Sequence, residues 1–168
     1  MNLSINKNNK NEIVVFGAVD PLIYVLKTVN HEARENASTT LFSLSVMEEN
    51  KISIGQSSVI QPLVDLLRDG TPQGKKDDDT ALFNISIYHD NKARIVRAEA
   101  VKSLVESKDP TTRMVDKVVA VLSNLSTITE GRYAIVEEGG IPGLVEVVGI
   151  PALLQLCTNS IRFRAIIL

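Results

Sequence analysis

Three consecutive carboxylates, Asp77-Asp78-Asp79, form the densest group of potential metal ligands in the chain. Calcium-binding loops of the EF-hand type space their oxygen ligands along a loop with a turn-forming glycine and a distal glutamate. This contiguous run does not have that spacing, so we expect no metal site. We interpret the run as negative charge near the start of a helix, where the helix dipole favours it.

The sequence offers equally little for nucleophilic catalysis. Cys157 is the single cysteine, and no histidine or acid cluster is recognisable beside it, which favours a buried structural thiol over a reactive one. His31 and His89 fall in predicted linkers, where we expect ordinary surface residues. The sequence shows no glycine-rich phosphate loop, nucleophile elbow or metal-ligand motif. It therefore predicts no catalytic residues and no cofactor.

Composition excludes several classes of partner. The formal net charge is −2, which argues against a strongly basic nucleic-acid footprint. Aromatic residues make up 4% and tryptophan is absent, which argues against stacking platforms for single-stranded nucleic acid. No apolar run approaches the roughly 18 residues of a spanning helix, and the first ten residues do not resemble a signal peptide. We expect a soluble protein of the cytoplasm, the nucleus or both, with no nucleic-acid or membrane partner.

Five basic residues lie close together in the sequence. We interpret them as a solvated face, and the alternative is a docking patch for acidic segments of a partner. They are Lys75, Lys76, Lys92, Arg94 and Arg97.

The sequence contains an internal repeat, and all of these residues lie within it. The segment that begins at Leu41 recurs at Leu82, an offset of 41, and again at Leu122, an offset of 40. Two further anchors keep the same register, one at the Asn50 and Asn91 pair and one in the apolar segment that follows it. The repeat predicts a single array over residues 1–168: a partial unit at 1–29, units at about 30–70, 71–109 and 110–149, and a shortened partial unit at 150–168.

The sequence pattern predicts three helices in each unit. A middle helix has apolar residues at i, i+3, i+4 and i+7 with a proline in its first turn, at 19–26, 60–67 and 141–148. A long helix is expected at 34–46, 75–87 and 113–127, and a short one at 50–54, 91–96 and 132–136. Gly17 and the Gly139-Gly140 pair should allow a left-handed turn before the middle helix. Since such a unit cannot bury its apolar stripe alone, the units must stack into an α-solenoid.

The amino-acid sequences of the repeats resemble those of one family. The segments ENASTTLFSLSVMEENKISIG, PLVDLLRDGTPQGKKD, TALFNISIYHDNKARIVRA and VVAVLSNLSTITEGRYAIVEEGGIPGLVEVV are similar to the armadillo region of plant U-box ubiquitin ligases, over residues 3–168. This resemblance implies an all-α armadillo-type solenoid, a right-handed superhelix with about three full units and partial units at both ends. It also implies an inner groove that recruits substrates for ubiquitination. In that family a separate U-box domain docks the ubiquitin-conjugating enzyme, and nothing in this sequence resembles it, so we expect no catalysis by the chain itself.

Stacking would align equivalent outward positions of the long helices along that concave groove. The resemblance and the repeat together point to a protein substrate or extended peptide there, held by asparagine amides that can grip a peptide backbone. The alternative is that these amides bond their own solenoid or water. The candidate residues are Glu35, Thr39, Ser43, Lys76, Thr80, Asn84, Asp116 and Asn124. Importin-type grooves add a tryptophan one turn before each asparagine, which this chain lacks, so a nuclear-localisation peptide is not favoured. A free armadillo adaptor unrelated to ubiquitin would use the same groove.

Several positions depart from the repeat pattern. Asp78 stands where Ala37 and Val118 stand in the other units, so its register points it inward, where an unpaired carboxylate is costly. Glu99 stands where Gly139 stands. The last unit is about ten residues short and the chain begins within a unit, which suggests a fragment or a divergent product. We expect the uncapped ends to self-associate or to lower stability.

Overall fold

The computed structural model describes residues 7–28, 30–106 and 114–140. Ten helices lie in these ranges, and no strand does. In chain order they are α1 (Lys7–Val15), α2 (Val19–Leu26), α3 (His31–Ser45), α4 (Glu48–Gln56), α5 (Ile60–Asp69), α6 (Pro72–Ser86), α7 (His89–Arg97), α8 (Ala100–Glu106), α9 (Met114–Leu125) and α10 (Thr129–Glu137). The all-α prediction and the recurring long, short and middle helices are confirmed over these residues.

Two of the long helices, α3 and α6, begin earlier than the apolar pattern predicts. The Asn30 side chain accepts a hydrogen bond from the Ala33 N–H at 3.0 Å and caps α3. Thr71 caps α6 in the same way through the Gly74 N–H at 3.3 Å, with Pro72 as the first helical residue. Capping chemistry therefore sets these ends, three residues before the predicted ones.

This shift corrects two interpretations. The first turn of α6 contains no acidic residue, and Asp77 is already the sixth residue of the helix. The view of the acidic run as first-turn charge opposite the helix dipole is therefore wrong. His31 and His89 are exposed as expected, but they are the first residues of α3 and α7 and do not lie in linkers.

A left-handed residue follows three of the short helices, α1, α7 and α10. Gly17 has φ +83° and Gly139 has φ +65°, as predicted. Glu99 occupies the equivalent place between α7 and α8 with φ +57°, a conformation that a side chain with a Cβ adopts at a cost.

The helices of successive units lie side by side. The long helix α6 packs against α3 on one side and α9 on the other, while α4 packs against α1 and α7. Two rows of side chains fill the space beneath the long helices with no exposure at all, and together with neighbouring apolar residues they form one continuous core. These rows are Leu41, Leu82 and Leu122, and Leu44, Ile85 and Leu125. None of the described helices is long and apolar enough to cross a membrane.

Candidate functional site

Each long helix leaves one stripe of residues accessible to solvent, and the stripes of α3, α6 and α9 adjoin. We call this surface the open face. Its rows run across the three units, each row taking one residue from each long helix or, in the last row, from the one or two positions that follow it. They are Glu35, Lys76 and Asp116; Asn36, Asp77 and Lys117; Thr39, Thr80 and Ala120; Ser43, Asn84 and Asn124; and Val46, Ile87 and Thr127. All eight candidate residues therefore lie on the same surface.

The two asparagines of the open face tie neighbouring units together. The Asn84 Nδ2 donates to the Ser45 Oγ at 3.0 Å, and the Asn124 Nδ2 donates to the Ser86 Oγ at 2.9 Å. One amide hydrogen of each asparagine is thus used within the solenoid, as the alternative interpretation expected. The second hydrogen and the amide oxygen have no recorded partner among the described residues, which leaves one donor and one acceptor for a ligand.

Hydroxyl–carboxylate bonds join α3 to the segment of α6 beside it. The Thr39 Oγ1 donates to the Asp77 Oδ2 at 2.6 Å, and the Thr71 hydroxyl donates to the Glu35 carboxylate. Thr80 bonds within α6, to the Lys76 carbonyl at 2.9 Å. Part of the predicted candidate set is therefore engaged in holding two units together.

The remaining candidates differ in their surroundings. The Ser43 carbonyl accepts a hydrogen bond from the Lys10 Nζ at 3.0 Å. The side chains of Lys76 and Asp116 are exposed. Of the three charged candidates these two are exposed, whereas Glu35 is half-buried.

Two phenylalanines on this surface were not among the predicted candidate residues. Phe42 and Phe83 are half-buried, each directly before the Ser43 or Asn84 position. The Lys117 Nζ of α9 lies 5.0 Å from the centroid of the Phe83 ring, a cation–π contact across the unit boundary. The recurrence of Leu-Phe before the polar position was the sequence signal, but it did not show which way the rings face.

Beneath the open face lie two buried carboxylates. Asp78 and Asp79 are both fully buried, which confirms the inward register of Asp78 and adds Asp79. The Ser38 hydroxyl donates to the Asp78 Oδ1, while the Asp78 Oδ2 and both Asp79 oxygens have no hydrogen-bond partner. Desolvation raises the pKa of Asp78 to about 8 and that of Asp79 to about 7. Within the described ranges no three potential ligand side chains cluster to hold a metal ion.

A second pair of asparagines connects the short helices. The Asn50 Nδ2 donates to the carbonyls of Leu44 and Lys10, at 3.0 and 3.1 Å. The Asn91 Nδ2 does the same one unit later, to Ile85 at 3.1 Å and Lys51 at 3.0 Å. In the sequence these residues mark the repeat register, and their role in joining the units was not predicted.

The basic residues do not share one solvated face. Lys92 is buried, its Nζ donates to the Thr127 Oγ1 at 2.8 Å, and burial lowers its pKa. The Lys75 Nζ donates to the Arg68 carbonyl at 2.9 Å. The interpretation as a solvated face is wrong for Lys92, while Arg94 and Arg97 are exposed.

The first described unit has an apolar cavity of about 520 Å³ at its end, lined by residues that include Ile13, Phe16 and Pro21. The counterparts of Ile13 and Pro21 one unit later, Ile54 and Pro62, are buried. The cavity therefore marks the surface on which another unit would stack. The expectations on the helix at 141–148, on Cys157 and on the shortened last unit lie outside the described residues.

Comparison with known proteins gives a consistent result. The family model described as "Plant U-box protein ARM repeat region" matches residues 2–148. From Arabidopsis thaliana, U-box domain-containing protein 3 is 55% identical over an alignment of 74 residues, with coverage of 38% of this chain and 10% of that protein. U-box domain-containing protein 4 is 60% identical over an alignment of 65 residues, with coverage of 33% of this chain and 8% of that protein. The matched part of the chain thus spans a tenth or less of these relatives.

Solved structures show the same fold. Computationally designed armadillo repeat proteins for modular peptide recognition superpose with a TM-score of 0.82 at 20% identity, covering 94% of this chain and 69% of theirs. A designed armadillo repeat protein in complex with the peptide (KR)4 gives a TM-score of 0.78 at 20% identity, covering 96% of this chain and 70% of that one. The α-solenoid prediction is confirmed.

Proposed function

The chain belongs to the armadillo-repeat region of plant U-box proteins, and from this premise we propose that it binds a protein substrate for ubiquitination along its open face. Family and fold are those of a protein-interaction module. In this proposal the chain binds the partner and catalyses no step itself. Ubiquitin transfer would require a U-box domain.

The observation that carries the proposal is the row of polar side chains across three stacked helices. Asn84 and Asn124 occupy equivalent positions of neighbouring units, and each keeps a donor and an acceptor after its bond to the solenoid. A regular spacing of such groups suits an extended segment, whose backbone presents its own donors and acceptors at regular intervals. The designed armadillo protein in complex with (KR)4 supports a peptide as the occupant.

Two further expectations belong to this proposal. We place the chain in the cytoplasm, the nucleus or both, and we expect self-association through the apolar surface near Phe16, which is 86% exposed. A free armadillo adaptor would use the same open face, but family membership favours the ubiquitination pathway.

A charge-reversal experiment tests the open face. The variant Lys76→Glu/Asp116→Lys changes two exposed residues of this surface and keeps the net charge. The control Arg97→Glu/Glu137→Lys makes the same exchange at exposed positions of α7 and α10. Proteins captured from a plant extract on the immobilised chain should be lost by the first variant and retained by the control. Equal retention by both would contradict the proposed surface.

Catalysis is tested separately. The chain is incubated with ubiquitin, activating enzyme and a panel of conjugating enzymes, and we expect no ubiquitin chains. Robust ubiquitin-chain formation would show that the chain acts catalytically, against the proposal.

A further inference from the structure

One contact within the repeat shows how a cation is bound beside the open face. Lys117 of α9 reaches back across the unit boundary and places its Nζ 5.0 Å from the centre of the Phe83 ring on α6. Among the described residues this is the one cation–ring contact. It shows that a half-buried phenylalanine at this register accepts an ammonium group from the neighbouring position.

One unit earlier the equivalent positions hold an acid in place of the cation. Phe42 corresponds to Phe83, and Asp77 corresponds to Lys117, because both pairs keep the offsets of 41 and 40 residues. Asp77 lies on the open face and accepts from the Thr39 hydroxyl at 2.6 Å, and Thr39 precedes Phe42 by one helical turn. The carboxylate is thereby held at the same unit boundary as the ring.

We propose that Phe42 and Asp77 form a subsite for a lysine or arginine side chain of the bound segment. The ring would accept the cation as Phe83 accepts Lys117, and the carboxylate would neutralise it. This inference deepens the proposed function and rests on it, since it names the chemistry of one side chain of the partner. At the next boundary the protein's own Lys117 contacts the ring, whereas here an acidic residue occupies the lysine's position, which favours a basic residue of the partner at this boundary.

The test uses three fluorescein-labelled nine-residue peptides in which serine alternates with lysine, norleucine or glutamate. Fluorescence anisotropy at physiological salt should give about tenfold tighter binding of the lysine peptide than of the norleucine peptide. The backbone amides of Phe42 and Asp77 should shift in nitrogen–proton spectra of the labelled chain when the lysine peptide is added.

Three variants distinguish the subsite from general charge attraction. Asp77→Lys copies the filled boundary and should abolish the preference for lysine, whereas Glu137→Lys makes the same charge change on α10 and should leave it intact. Phe42→Leu keeps an apolar side chain, removes the ring and should reduce the preference severalfold. Lys117→Asp copies the Phe42–Asp77 boundary at Phe83, and it should tighten binding of the lysine peptide and shift the Phe83 amide. Thermal unfolding of each variant checks that it is folded.

The outcomes separate this inference from the proposed function. Equal affinity for the three peptides, or no measurable binding of the lysine peptide, would overturn the subsite. A lysine preference that Glu137→Lys removes as fully as Asp77→Lys would also overturn it. Peptide-induced shifts of open-face amides without any lysine preference would leave the proposed function standing. Shifts by all three peptides confined to residues outside the open face would overturn both.

Discussion

The buried carboxylates predict an unusual dependence of stability on pH. In the folded chain the pKa of Asp78 is raised to about 8 and that of Asp79 to about 7, against 3.8 for an ordinary aspartate. Between about pH 4 and pH 7 the folded chain therefore holds protons that the unfolded chain has released. Because the folded state binds more protons, the free energy of unfolding falls as the pH rises.

The size of this effect follows from the two groups. Each carboxyl that is protonated only in the folded state changes the free energy of unfolding by about 1.4 kcal/mol per pH unit. With both protonated, between about pH 5 and pH 6.5, the fall is at most about 2.7 kcal/mol per pH unit. A small domain has a total stability of about 5–15 kcal/mol, so the loss over this window is a substantial part of it.

Burial decides the direction of both pKa shifts, and the charged groups around the pair modify their size. Arg34 on α3 stabilises the ionised form of Asp78 and Lys75 on α6 that of Asp79, while Asp79 and, less strongly, Asp77 oppose ionisation of Asp78. Desolvation is the largest influence on both carboxyls and raises both pKa values. The two cations therefore offset the cost of burial only in part.

Urea unfolding followed by circular dichroism, at steps from pH 5 to pH 8, measures this slope. The variant Asp78→Asn/Asp79→Asn mimics the neutral carboxyls at every pH and should flatten the slope. It should match the parent chain at pH 5 and exceed its stability at pH 8. The control Asp90→Asn/Asp116→Asn neutralises two exposed carboxylates and should keep the parent slope.

Two results would refute the reasoning. One is a parent stability that stays constant or rises from pH 5 to pH 7, which would mean that the buried carboxyls are ionised in the fold. The other is a double variant whose slope equals that of the parent. Carbon-detected titration of the aspartate carboxyl groups reports the two pKa values directly and provides an independent check.

The repeat register predicted the stacked helices because the same apolar spacing recurs in every unit. It also predicted that Asp78 faces inward, since Ala37 and Val118 occupy that position elsewhere. It did not show the burial of Asp79, because its counterparts Ser38 and Val119 differ in polarity and indicate no common environment. Register thus predicts burial where the equivalent residues agree.

Contacts between units were the part that the sequence could not supply. Lys117 and Phe83 are 34 positions apart, and their contact depends on how far α9 is displaced relative to α6. The bond from Asn91 to the Lys51 carbonyl likewise exists only after stacking. A period gives equivalence between units, but the distance and angle between them come from packing, which the pattern of apolar residues does not determine.

Three substitutions test individual features. Glu99→Gly should raise the free energy of unfolding by about 1 kcal/mol in urea titrations, because φ +57° costs glycine little, and an unchanged value would mean the turn is unstrained. Asp78→Ala should raise the melting temperature at pH 8 by a few degrees, since burying an ionised carboxylate costs more than the bond from Ser38 returns; a decrease would contradict this. Gly55→Ala should cost at least about 2 kcal/mol, because a Cβ would lie 2.1 Å from the Asn91 Nδ2 and displace an amide that bonds two carbonyls. Adding Asn91→Ala removes the collision partner, so the double variant should be less destabilised than the sum of the single variants, and strict additivity would show that the two residues do not collide.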